Sequence, residues 1–171
     1  MRIIVVGFIL LVNIILQSTY FEYIQIIGVK PNTAIAVIVA FSLMRGSFEG
    51  AVIGFFSGLL QDILFGSNIG FNALLGMYIG YFCGKLNNDF YSENYFLELG
   101  LCIVSVLGYE FIVYVFNFLI RGRTNLLYYF NTVIFPEVVY TSFISIFLYK
   151  ILYFINQKLE EHENITRSFF R

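Results

Sequence analysis

Apolar runs of membrane-crossing length alternate along this chain with short polar breaks. Crossing about 30 Å of hydrocarbon takes roughly 20 helical residues. Ile3–Tyr20, Phe96–Ile120 and Pro136–Ile155 meet that requirement directly. Between Pro31 and Lys85 the oil is broken twice, at RGSFEG (45–50) and QDILFGSN (61–68), which predicts three shorter helices over Asn32–Arg45, Phe48–Phe65 and Ile69–Gly84. The breaks carry helix punctuation. Arg45 stands in a last turn, where the negative dipole end favours a cation, and Gly46 suits the cap behind it. Ser47 can cap the next helix, with Glu49 in its first turn. Gly66 and Ser67 repeat the stop and start, and Gly84 closes the fourth helix. Pro136 and Glu137 read as the first two residues of the last one. The second helix, 14 residues long, reaches only about 21 Å. It must be extended at one end, tilted little, or shielded by protein.

The pattern predicts an all-α polytopic membrane protein: six transmembrane helices in one domain, 1–155, followed by a charged cytoplasmic tail, 156–171. Five spans, with one middle helix re-entrant, is the alternative arrangement. Six spans put both ends of the chain on the same side. One side then carries Arg2, Arg45, Lys85, Lys150, Lys158, Arg167 and Arg171, and the other only Lys30, Arg121 and Arg123. Lys and Arg concentrate on cytoplasmic segments, so both termini are expected inside. Arg2 and the apolar run after it look like a secretory signal, but no small-x-small cleavage pattern follows, and the run reads as a retained span.

Composition supports the bilayer and narrows the chemistry. The chain of 171 residues is 59% hydrophobic and 12% charged, whereas soluble domains run about 45–50% apolar and about 25% charged. A net charge of −1 leaves no footprint for nucleic acid. Cys83 and Cys102 sit in apolar stretches without metal-ligand spacing, and the sole histidine, His162, is in the tail. Neither a nucleophile elbow, a P-loop nor a His/Cys/Asp cluster is present, so no catalytic, cofactor or metal site is expected.

Two patterns remain inside the oil. Gly46, Gly50, Gly54 and Gly58 stand four apart, and Gly76, Gly80 and Gly84 repeat the step in the fourth helix. Lipid supplies no hydrophobic force between helices, so small residues at this spacing serve close backbone contact. They mark the third and fourth helices as the packed centre, or as a groove for a partner helix. The second pattern is polar. A carboxylate at mid-membrane costs about 2.5–3.5 kcal/mol on insertion scales, so each one is expected to face protein or water. Asp62 lies toward the outer end of the third helix, with Asn72 opening the fourth nearby. Glu110, Tyr114, Asn117 and Arg121 form one stripe on the fifth helix, and Asn13, Gln17 and Tyr20 a shorter one on the first. These stripes are interhelical hydrogen bonds, or they line a cavity open to the outside.

The segment from Lys30 to Leu86 resembles the middle of the MreD family of rod shape-determining proteins. The likeness rests on Pro31, Arg45-Gly46, Glu49-Gly50, the run Gly54-Phe55-Phe56-Ser57-Gly58-Leu59 with Asp62, then Gly66, Gly70 and Asn72-Ala73-Leu74. Elsewhere it is a likeness of span layout, and Glu137 and the stripe around Glu110 depart from the family pattern. The resemblance implies a non-enzymatic component of the bacterial inner membrane that serves elongation of the lateral cell wall. Its implied partners are the bitopic scaffold MreC and, through it, MreB filaments and the RodA–penicillin-binding protein 2 synthase. A second copy of the chain is a further candidate, and the bilayer is the solvent. Arg45, Glu49, Asp62 and Asn72 would shape the middle hairpins. The resemblance also implies a compact bundle similar to the substrate-capture subunits of energy-coupling-factor vitamin transporters. Membership of that second class is the alternative function, although helix 1, with Gly7 as its only very small residue, lacks that class's docking surface.

Overall fold

The structure is a computed structural model describing residues 2–19, 29–65, 69–86, 95–116 and 126–169, the side chains of 2, 3, 95, 126 and 160–169 excepted. The elements are α1 (Arg2–Thr19), α2 (Thr33–Arg45), α3 (Ser47–Phe65), α4 (Phe71–Lys85), α5 (Tyr95–Tyr114), a short α6 (Leu126–Tyr129) and α7 (Phe135–Phe169). Among the described residues there are no strands. Three helices are long and apolar enough to cross a membrane, over Ser47–Phe65, Phe96–Tyr114 and Leu127–Leu159; Ile4–Thr19 and Thr33–Arg45 are apolar but shorter.

The long helices alternate in direction. Gln61 near the end of α3 donates to Gln17 near the end of α1 at 3.4 Å, so those two run parallel. The chain reverses at Gly46 between α2 and α3, and α3 and α4 run antiparallel, Gly50 meeting Gly80 and Gly58 meeting Asn72. Asn72 at the start of α4 meets Tyr109 late in α5, whereas Cys83 at its end meets Ser105 earlier in α5. That pair is antiparallel. The same reversal joins α5 to α7, where Glu98 faces Ser145 and Glu110 faces Glu137.

The centre of the bundle is α2, and here the sequence reading needs correction. Glycine spacing marked α3 and α4 as the centre, yet every residue of α2 from Thr33 to Met44 is buried, and α1, α3, α4, α5 and α7 all pack on it. A helix apolar all round belongs in an interior. Protein shields this one on every side, which resolves how so short a helix can sit at the membrane's depth. In α3 and α4 only one face is small. Their bulky side chains, among them Phe55, Phe56, Tyr78 and Phe82, point outward and are exposed.

The small faces of α3 and α4 meet in antiparallel pairs, Gly50 with Gly80, Gly54 with Gly76, and Gly58 with Asn72. A Cβ built on Gly54 would stand 2.6 Å from the Gly76 carbonyl carbon and closer still to its oxygen. Gly84 packs likewise on Gly46, where an added Cβ would lie 2.5 Å from the carbonyl carbon. Gly46 also makes the turn between α2 and α3, with φ 87° and ψ −179°, a conformation essentially closed to residues bearing a Cβ.

The last helix also departs from its predicted start. Pro136 does not open it: the chain is helical from Leu126, through a π-helical turn at Phe130–Ile134. Inside a helix a proline lacks the N–H for its i−4 carbonyl and crowds that carbonyl with its ring. The wider turn immediately before Pro136, closed by Phe135 N–H donating to the Phe130 carbonyl, accommodates it. α5 proper ends at Tyr114, and the predicted span beyond residue 116 lies outside the described residues. Asn117, Arg121, Arg123, Tyr20, Gly66 and Ser67 lie outside the described residues.

Gly54→Ala and Gly76→Ala are expected to lower stability by at least about 1–3 kcal/mol, the usual range for overpacking, because backbone cannot move aside. Gly108→Ala on α5, where an added Cβ meets nothing within 4 Å, is expected to be tolerated. Thermal unfolding of the purified variants in mild detergent measures the difference.

Candidate functional site

Asp62 ends the glycine face of α3 and is 1% exposed. Its carboxylate accepts from three backbone N–H groups at the start of α4: Gly70 at 2.8 Å, Asn72 at 3.1 Å and Ala73 at 3.0 Å. The N-cap position of α4 is Gly70, which has no side chain to do this work and whose left-handed φ of 102° turns the chain into the helix. The preceding helix therefore supplies the cap. A carboxylate at a helix N-terminus is favoured by the dipole and satisfies donors that lipid could not. Asn72 extends the arrangement by accepting from the Tyr109 hydroxyl at 2.8 Å, which fastens α5 to α4.

A second polar group lies between α5 and α7. Tyr129 donates to Glu110 at 3.0 Å. The Glu110 and Glu137 carboxyls are paired with each other, and the Asn32 side chain bonds to Glu137. Asn32 also donates its backbone N–H to Thr141 Oγ1 at 3.0 Å and caps α2 by accepting from Ile35 N–H at 3.4 Å. Glu137 is thus a buried partner of Glu110 within a continuing helical path, and not the first-turn acid at a free helix start.

At the opposite end of the bundle Arg45 closes α2 and pairs with Glu49 one turn on, Nη1 to Oε2 at 3.4 Å. Glu98, 1% exposed near the start of α5, lies 3.5 Å from Ser145 Oγ, and its Oε1 has no partner.

The residues singled out in the sequence fall into distinct places. Gly50, Gly54, Gly58, Gly76 and Gly80 meet in the α3–α4 hairpin, Gly46 turns the chain into it, and Asp62 with Asn72 closes its far end. Arg45 and Glu49 pair at the near end. Asn13 and Gln17 sit on α1, Gln17 against Gln61 of α3. Glu110 and Tyr114 belong with Tyr129, whose ring centroid is 5.1 Å from that of Tyr114. Tyr114 lines a groove of about 430 Å³ whose other walls are apolar, among them Leu107, Phe111 and Phe130.

Tyr109, Tyr129, Asn32, Thr141 and Glu98 were not anticipated. A signal existed for two of them: stepping back by helical turns from Tyr109, the neighbour of Glu110, gives Ser105, Cys102 and then Glu98 on one face. Among the described residues no three His, Cys, Asp or Glu side chains gather as a metal site.

An exterior of exposed aromatic and aliphatic side chains around an interior where polar groups bond to one another defines a polytopic helical membrane protein. The chain belongs to the MreD family: the family model for rod shape-determining protein MreD matches residues 1–159. No curated protein and no solved structure matches the chain.

Asp62→Ala strands the three N–H groups it caps and is expected to lower stability by about 2–3 kcal/mol. Glu110→Gln keeps a donor for Glu137 and an acceptor for Tyr129, so a change below about 1 kcal/mol is expected. Glu110→Leu removes both of these bonds at once and is expected to cost about 1–3 kcal/mol. Unfolding curves in detergent rank the three.

Proposed function

We propose that this rod shape-determining membrane protein is a non-enzymatic component of the bacterial inner membrane's cell-elongation machinery. On this reading it binds the bitopic scaffold MreC, and through it MreB filaments and the RodA–penicillin-binding protein 2 synthase. The observation that carries the reading is the family match over residues 1–159. The physical character of the bundle supports it. Polar side chains such as Asp62, Asn72 and Glu110 hold helices together, and its exterior is a broad apolar surface on which membrane partners, or a second copy, can pack. Partner contact has to use faces other than the α3–α4 glycines, which the hairpin occupies.

The topology belongs to the same proposal: six spans, α1 to α5 and α7, with both ends of the chain cytoplasmic and the helix beyond residue 155 forming a cytoplasmic tail. Alternating helix directions support it, and so does the bias of Lys and Arg toward the end where α1 begins. The alternative, a vitamin-capture subunit of an energy-coupling-factor transporter, would draw on the polar groups at the far end. That Glu110, Glu137, Tyr129 and Asn32 bond to one another supports the packing reading instead.

Depleting the protein in a rod-shaped host is expected to give round cells, and its affinity purification to recover MreC. Cells that stay rod-shaped, or a purified protein that retains a vitamin-sized ligand, would overturn the reading.

A further inference from the structure

Arg45 is buried but incompletely bonded. Its side chain is 1% exposed, the rest of the residue's exposure lying in the backbone that ends α2. Nη1 donates to Glu49, whereas Nε and Nη2 have no partner and are covered by protein. These two nitrogens form the fork of the guanidinium that matches two oxygens of one carboxylate or phosphate. A buried cation with its fork idle is a costly arrangement unless an acceptor arrives.

The surroundings indicate which acceptor. Arg45 stands at one end of a groove of about 770 Å³ between α1 and α3. Gly7 leaves the α1 side open, with nothing within 4 Å of where its Cβ would be, and Leu10, Val52, Phe56 and Leu60 line the length with hydrocarbon. Glu49, 42% exposed, stands beside Arg45. Exposed Leu11 and Phe48 border the groove, so it opens onto the bilayer. Both α1 and α3 begin at this end, which sets the guanidinium where the helices enter the membrane. A cation at the interface above a channel of oil complements a molecule with phosphate at one end and acyl chains below. An apolar helix in the same groove would leave the fork empty.

We propose that the α1–α3 groove binds a membrane phospholipid, an acyl chain lying over Gly7 toward Phe56 and the phosphate accepting from Nε and Nη2 of Arg45 once the flexible side chain turns them from their covered position toward the groove. The lipid completes the bonding of Arg45 and fills the gap between the two helices, tying α1 to the rest of the bundle.

Native mass spectrometry of the full chain in mild detergent tests this, with phosphatidylglycerol, diacylglycerol of the same chains, or inorganic phosphate added. Phosphatidylglycerol is expected to be retained about tenfold or more over diacylglycerol, the factor one charge-assisted hydrogen bond supplies; inorganic phosphate alone is expected to give no adduct. Arg45→Gln should bring phosphatidylglycerol down to the diacylglycerol level. Gly7→Leu, which fills the groove at a position with room for a side chain, should abolish retention of both lipids with the melting temperature unchanged. Equal phosphatidylglycerol retention by either variant overturns the proposal, as does an Arg45-dependent adduct of inorganic phosphate alone. A photoactivatable side chain at Leu11 that cross-links in membranes to another protein or a second copy, and not to lipid, also overturns it.

Discussion

Contact of backbone with backbone between α3 and α4 is the constraint on which the rest of the bundle depends. In a bilayer the removal of oil from water no longer drives helices together, because lipid is as apolar as leucine. What remains is dispersion, which falls away within an ångström of ideal separation, together with hydrogen bonds. Glycines on both helices bring the two chains to that separation along their length. Asp62 then fixes their register from one end by holding the first N–H groups of α4, and Gly46 fixes it from the other by bringing α2 back against the same pair. α2 packs against both members of the closed hairpin, and the remaining helices enclose it.

Polarity in this molecule runs opposite to that of a soluble domain. Ser42, Thr141, Ser145, Asp62 and Glu110 are interior, whereas Phe8, Phe56, Phe82, Phe111 and Phe147 are on the outside. In lipid an interior polar group is stabilised by a partner. Ser42 finds one in the Ile38 carbonyl of its own helix, whereas others reach across to a second helix: Asn72 with Tyr109, Glu110 with Glu137 and Tyr129, Asn32 with Thr141. The hydrogen bonds therefore specify which helices are neighbours, while the glycines decide how near two of them come. The surface that this arrangement leaves on the outside is apolar.

The membrane class, the middle helices and the stop of α2 at Arg45 and Gly46 were legible in the sequence, because span length, glycine spacing and cap residues are local properties of a helix and of the solvent around it. Asp62 could be placed toward the end of α3 for the same reason, and the family likeness was carried by residues close together in the chain. Less was legible where distance along the chain intervened. Spacing showed that α3 and α4 each have a small face, but not that the two faces close on each other and leave α2 in the middle. Glu110 and Glu137 read as separate events, one a costly acid in mid-helix and the other a helix opener. Their meeting depends on the path through residues 126–135 that carries α7 back along α5.

By itself, then, the sequence determined that the chain is a bundle of membrane helices held by small residues and by a few obligatory polar groups, since period, length and hydropathy follow from one helix at a time. Only the tertiary structure decided which helix is enclosed, which amides Asp62 caps, which acid faces which, and that Arg45 is buried beside an open groove. Those outcomes rest on pairings between residues as far apart as Asn32 and Thr141, 109 positions away, and no periodicity along one strand of sequence encodes such a meeting.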